Sequence, residues 1–304
     1  MIKEYNEKII NIEVNENERI YCVYNYIDEN KPLIIIPPQF EKTIRNNLTI
    51  MVHLINNGFN VLRYDNRNHN GNSTGEIENF SLRKVLEDFE YVIDYLKANK
   101  EVNFSNGVGV VGISIASRAI YRYLSEKNGF IDVFIVLVGV INMKYTLNSI
   151  VGFDSVQECI DNPSKKFGVR KVLNYPINWD IFLNEMIQDN MHNIDSTIED
   201  VKKIKTPIYM VMAEKDKWVN IDECDAVFNS NREILKDVYK LPNTGHELYK
   251  NPESAKYAIM KIVEMFKSYF NQNENEELVI PTIAEIVSLN RNERQREKKY
   301  RITN

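Results

Sequence analysis

Val110-Val111-Gly112-Ile113-Ser114-Ile115-Ala116-Ser117 is an apolar run that meets a serine between small residues and then takes on helical spacing. The run that leads into it, from Val108, is short, continuous and apolar, as a strand buried on both faces is. Gly112 stands two residues before Ser114 and Ala116 two residues after it. A strand-to-helix turn sharp enough to strain its serine and lift it clear of the backbone needs small neighbours at those positions. There the hydroxyl sits at a helix N-terminus, whose dipole favours the negative charge of an attacking alkoxide. The bland alternative is a serine that caps an ordinary helix.

Around this turn the chain alternates strand-like and helix-like segments. Leu33 to Ile36, Asn60 to Tyr64 and Val133 to Val138 read as further buried parallel strands, and the first ends at Pro37-Pro38. Ile9 to Val14 and Arg19 to Tyr26 have the β-branched and aromatic enrichment of antiparallel strands. Val85, Phe89, Val92, Ile93 and Leu96 form one face of a helix that Ser81 can cap. Strand character returns at Ile208 to Met212 and at Val238 to Leu241, and a last core helix starts at Asn251-Pro252. The alternation predicts an α/β protein: a mostly parallel sheet of about eight strands covered by helices on both faces. Residues 143–203 interrupt it once and read as a helical cap inserted within a single domain spanning 1–304. Residues 271–304 read as a polar linker followed by an amphipathic, basic helix.

Composition narrows the class. With 304 residues, 43% hydrophobic and 27% charged, the chain can bury a sizeable core. A net charge of −5 argues against a nucleic-acid surface. Three widely spaced cysteines, Cys22, Cys159 and Cys224, fit a reducing compartment and neither a disulfide framework nor a zinc site. The N-terminus has no apolar signal segment, and the longest apolar stretch, Val133 to Val140, is too short to span a bilayer. The expectation is a cytoplasmic enzyme. No glycine-rich phosphate loop or metal-ligand cluster is visible, so neither cofactor nor metal is expected.

A nucleophilic serine on a strand-to-helix turn needs a base and an acid, which in the α/β-hydrolase fold follow in the order Ser, Asp or Glu, His. Of four histidines, only His246 follows the last strand and precedes the final helix. Asp216 follows the penultimate strand and precedes Trp218-Val219; Glu214 and Asp222 are its rivals. His53 and His192 fall in helical stretches, and His69 lies in the polar loop Asp65 to Ser73, which is similar to the Asp-x-Arg-Gly-His-Gly-x-Ser loop of such hydrolases. Two backbone N–H groups would form the oxyanion hole, from Ile115 and from Phe40 in the loop Pro37-Pro38-Gln39-Phe40. Gln39 stands there in place of a usual glycine.

The sequence also resembles the acyl transferases of bacterial bioluminescence, the myristoyl-ACP-specific thioesterases. The likeness is carried by Asn57 to Asp65, by the turn with Ser114 and Arg118, and by Val138 to Tyr145 followed by Leu147 and Gly152-Phe153-Asp154. Asp216 with Trp218-Val219, Pro281 and Asn292-Glu293-Arg294 extend it over nearly the whole chain. The resemblance implies an α/β-hydrolase fold and the triad Ser114, Asp216 and His246. It further implies an acyl thioester donor on an acyl carrier protein, released through an acyl-serine intermediate. Ile150, Val151 and Phe153 would line the acyl pocket. Two basic clusters could meet an acidic carrier: Lys202, Lys203 and Lys205, and the tail residues Arg291, Arg294, Arg296, Lys298, Lys299 and Arg301. The same triad would also suit a small-ester or lysophospholipid hydrolase, and a non-catalytic hydrolase-fold binding protein is the reading from another class.

Overall fold

A computed structural model describes residues 2–99, 101–272 and 277–303. Residues 273–276 of the expected linker, and the side chain of Arg301, lie outside the described residues.

Eight strands form one sheet: β1 (Asn6–Glu13), β2 (Arg19–Tyr26), β3 (Leu33–Ile36), β4 (Asn60–Tyr64), β5 (Val108–Ile113), β6 (Val133–Leu137), β9 (Ile208–Ala213) and β10 (Leu235–Leu241), in the order β1-β2-β4-β3-β5-β6-β9-β10. The pairs β1/β2 and β2/β4 are antiparallel, and every later pair is parallel. Because side chains alternate across a strand, β3 feeds two cores. Ile34 and Ile36 pack with α1 (Leu48–Asn56) and α9 (Pro252–Tyr269) on one face, and Leu33 and Ile35 pack on the other with α2 (Leu82–Ala98) and α3 (Ile115–Glu126). The continuous apolar runs of the parallel strands thus follow from burial on both faces. Ser81 caps α2 by accepting from the Lys84 N–H at 3.2 Å, and Asn251 caps α9 with Pro252 behind it.

Between β6 and β9 the chain forms α4 (Met143–Val151), α5 (Ser155–Asp161), a hairpin of β7 (Val169–Val172) and β8 (Tyr175–Asn178), α6 (Trp179–Gln188) and α7 (Ile194–Val201). Asn142, Asp154, Asn178 and Asn193 each cap the helix that follows, so local chemistry sets four boundaries. Trp179 is buried, stacked on Phe153 at 5.8 Å. Fully buried Arg118 of α3 donates to Asp200 of α7 at 2.7 Å and ties this insertion to the body. Among the described residues no helix is long and apolar enough to cross a membrane.

The last helix, α10 (Ile283–Thr303), lies against the body. Of Ile283, Ile286 and Val287, whose spacing suggests a packing face, Ile283 is 81% and Val287 43% exposed, and only Ile286 is half-buried. Leu289, Glu293 and Tyr300 pack instead. Buried Glu293 lies 2.9 Å from the guanidinium of Arg63, which donates to the Ile44 carbonyl and to Asn25. Arg45 pairs with Glu297, and Arg296 with Glu7. Such exposed pairs are worth little, whereas breaking a buried one strands a charge. Glu293→Ala is therefore expected to destabilise the protein by about 3–5 kcal/mol, read from urea unfolding. All substrates should lose activity in parallel on warming. An unchanged unfolding midpoint would make the tail an accessory.

Candidate active site

Ser114 sits on the turn between β5 and α3 with φ 53° and ψ −127°, a conformation L-residues avoid. Neighbours hold it there. The Ser114 N–H donates to the Leu137 carbonyl at 3.1 Å, and the Val140 N–H donates to the Ser114 carbonyl at 3.0 Å. A Cβ on Gly112 would come within 2.6 Å of Phe134, and one on Gly139 within 2.3 Å of Val136 and 2.7 Å of the Ser117 hydroxyl. Only glycine allows the chain after β6 to close on the turn. The expected strand to Val138 stops at Leu137 for this reason: Val138, at φ 43°, has already turned.

The three expected residues meet. Ser114 Oγ lies 2.8 Å from His246 Nε2, and His246 Nδ1 lies 2.8 Å from Asp216 Oδ2. The other carboxylate oxygen, Oδ1, accepts from the Trp218 and Val219 N–H groups at 2.8 and 3.0 Å. The Asp216 side chain is 3% exposed and that of His246 7%. The rivals are elsewhere. Glu214 accepts from the Asn243 N–H at 2.9 Å, and Asp222 is exposed in the first turn of α8 (Ile221–Asn229). This arrangement can draw a proton from Ser114 while Asp216 fixes the ring of His246.

The turn opens into a cavity of about 770 Å³. Ile115, Phe40, Leu147, Phe182, Trp218 and Tyr175 are on its wall. Ile115 opens α3, so its N–H has no helical acceptor. Phe40 precedes Glu41 at φ 60°, and its ring meets those of Phe80 at 5.0 Å and His69 at 6.4 Å. Ile150 lines the cavity; Val151 and Phe153 do not. Helical periodicity explains the difference. Met143, Leu147 and Ile150 repeat at i, i+4 and i+7 on the cavity face of α4, Val151 falls off it, and Phe153 lies beyond the helix. That spacing was available in the sequence.

The other histidines are placed otherwise. Burial lowers the pKa of His69 to about 4 and depresses those of His53 and His192. His53 is on α1, with Nδ1 2.7 Å from the Thr49 carbonyl, whereas His192 lies between α6 and α7 rather than within a helix. Lys202, Lys203 and Lys205 precede β9, parallel to β6, whereas Ser114 is held at the far end of β6 by Leu137. A six-residue strand, about 20 Å, separates that cluster from the site. Among the described residues no group of three or more His, Cys, Asp or Glu is placed to hold a metal ion.

A family model described as acyl transferase matches residues 6–299. Among curated proteins, an acyl transferase of Photobacterium phosphoreum is 26% identical over 81% of this chain and 78% of its own. One from Photorhabdus luminescens is 28% identical over 78% and 76%. Among solved structures, Est1E from Butyrivibrio proteoclasticus, solved with ferulic acid bound, superposes with a TM-score of 0.67 over 88% of this chain and 100% of its own at 16% identity. The thioesterase domain from the curacin biosynthetic pathway gives 0.56 over 86% and 99% at 14% identity. The fold these structures share with the chain is that of the α/β hydrolases.

Proposed function

The chain belongs to the acyl transferase family and is an enzyme of acyl transfer or hydrolysis, and from that premise we infer that it takes an acyl group from an acyl carrier protein through a serine ester. The observation that supports this most directly is the Ser114–His246–Asp216 relay, with both contacts at 2.8 Å, opening into a largely apolar cavity. Ser114 Oγ attacks the thioester carbonyl as His246 Nε2 takes its proton. The oxyanion of the tetrahedral intermediate is held by the Ile115 and Phe40 N–H groups. The C–S bond breaks, His246 returns the proton to the departing sulfur, and an acyl-serine remains. Water or another acceptor then attacks with His246 as base, and Ser114 recovers its proton. No step draws on a cofactor. The donor is a fatty-acyl or related thioester on a phosphopantetheine arm, in line with the resemblance to the luminescent acyl transferases. The inserted segment 143–203 serves as the cap that measures the chain.

Intact-mass analysis after mixing with a panel of acyl carrier proteins tests this reading. The expected result is an acyl adduct on wild-type enzyme whose chain-length profile shifts in Ile150→Phe and not in Val151→Phe. A methylene in an apolar pocket is worth about 0.8 kcal/mol, so the shift should be roughly fourfold per carbon. Absence of any adduct with every carrier would remove the carrier as donor.

A further inference from the structure

Between Asp161 and Asp180 the chain carries four cations, Lys165, Lys166, Arg170 and Lys171, and no acid, although its net charge is −5. The structure gathers them on the hairpin. Lys166, Arg170 and Lys171 are exposed on and just before β7, with Val169 50% exposed between them. Arg170 is braced: its guanidinium lies 5.7 Å from the Phe167 ring centroid and 5.9 Å from that of Trp179, and Nε donates to the Phe167 carbonyl. Lys165 is paired with Glu158. The nearest following acid, Asp180, is half-exposed and accepts the Phe167 and Gly168 N–H groups at 2.8 and 3.2 Å, with the charge of Lys166 close enough to help lower its pKa.

The hairpin has two unlike edges. β8 packs against the turn 77–79, which carries Glu78 and is preceded by Glu76. β7 has no strand beside it other than β8 among the described residues. One residue past Lys171, the run from Val172 to Tyr175 becomes cavity wall, and Leu173 and Asn174, at φ 48° and 75°, form the exposed turn at its opening. Two lysines near that opening are already matched. Lys42 pairs with Glu41, and Lys250 with Glu247.

We propose that the β7 edge of the hairpin is the docking surface for the acidic carrier protein, with Lys166, Arg170 and Lys171 facing its carboxylates and Val169 and Leu173 forming the apolar centre. This rests on the carrier-thioester reading of the same site. Its place beside the cavity wall selects this surface over the lysines before β9, which lie at the wrong end of the sheet. A carrier seated on β7 points its arm past Leu173 into the cavity.

The test is the double variant Lys166→Glu/Lys171→Glu, neither residue being on the cavity wall. Steady-state kinetics on acyl carrier protein and on a nitrophenyl ester should show kcat/KM for the carrier falling by about tenfold or more, as loss of steering does, with the ester rate unchanged. The salt dependence of the carrier reaction should flatten in the variant. Equal carrier kinetics in variant and wild type, or parallel loss on both substrates, overturns the docking surface while wild-type turnover of carrier leaves the carrier reading standing. A wild-type enzyme that hydrolyses esters but no acyl carrier overturns that reading itself. Loss of cosedimentation with phosphatidylglycerol vesicles, at unchanged carrier kinetics, would reassign the cations to a membrane surface.

Discussion

Ser114→Ala is expected to lower turnover by on the order of 10³–10⁶ while the protein stays folded, as removal of a nucleophile from a serine relay does. Alanine keeps the buried contacts of the turn but has no oxygen to attack, so fluorophosphonate labelling should vanish with activity. The backbone supplies a second, independent readout. Ser114 is held at φ 53° by hydrogen bonds to Leu137 and Val140, and glycine adopts that conformation without steric cost. Ser114→Gly should therefore be as inactive as the alanine variant yet more stable than wild type by about 1 kcal/mol, the low end of what such a strained residue stores. Thermal unfolding and turnover measured side by side decide it. Retention of even a tenth of wild-type activity in either variant would remove Ser114 from the chemistry.

The second large effect is at the acid. Asp216→Asn preserves size and one acceptor, so Oδ1 can go on receiving the Trp218 and Val219 N–H groups. The amide would then present its NH₂ to His246 Nδ1 where Oδ2 now accepts. That favours the tautomer with a proton already on Nε2, which cannot take another from Ser114. Turnover should fall by on the order of 10²–10⁴ with the fold intact. Asp222→Asn, at an exposed position in the first turn of α8, should change turnover little. If the two variants ranked the other way, the orienting role would pass to Asp222.

Much of the site was legible because its parts are local. A strand ending in a small-x-Ser-x-small turn, an acid just past one strand and a histidine just past the next are set by short-range spacing. The α/β-hydrolase sheet brings those strand ends together without further instruction. Arg118, one turn after Ser114, stands in the resembling segment, but its part in anchoring α7 through Asp200 required the fold. Gly139 stood in another such segment, and that it must be glycine follows only from how closely the chain after β6 meets α3.

From sequence alone came the alternating strands and helices, the serine turn, the ordered acid and base, and the preference for Asp216 over Glu214 and Asp222. These rest on periodicities of two and 3.6 residues and on turn stereochemistry, which act over a few neighbours. Tertiary structure decided which of Ile150, Val151 and Phe153 reaches the cavity, and where the charges lie. Charged residues obey no period, because water accepts them wherever they point. Hence the spacing of the tail points to Ile283, Ile286 and Val287 until Glu293 is seen buried beside Arg63, and only the fold sets the segment next to the hairpin cations, Val172 to Tyr175, in the cavity wall.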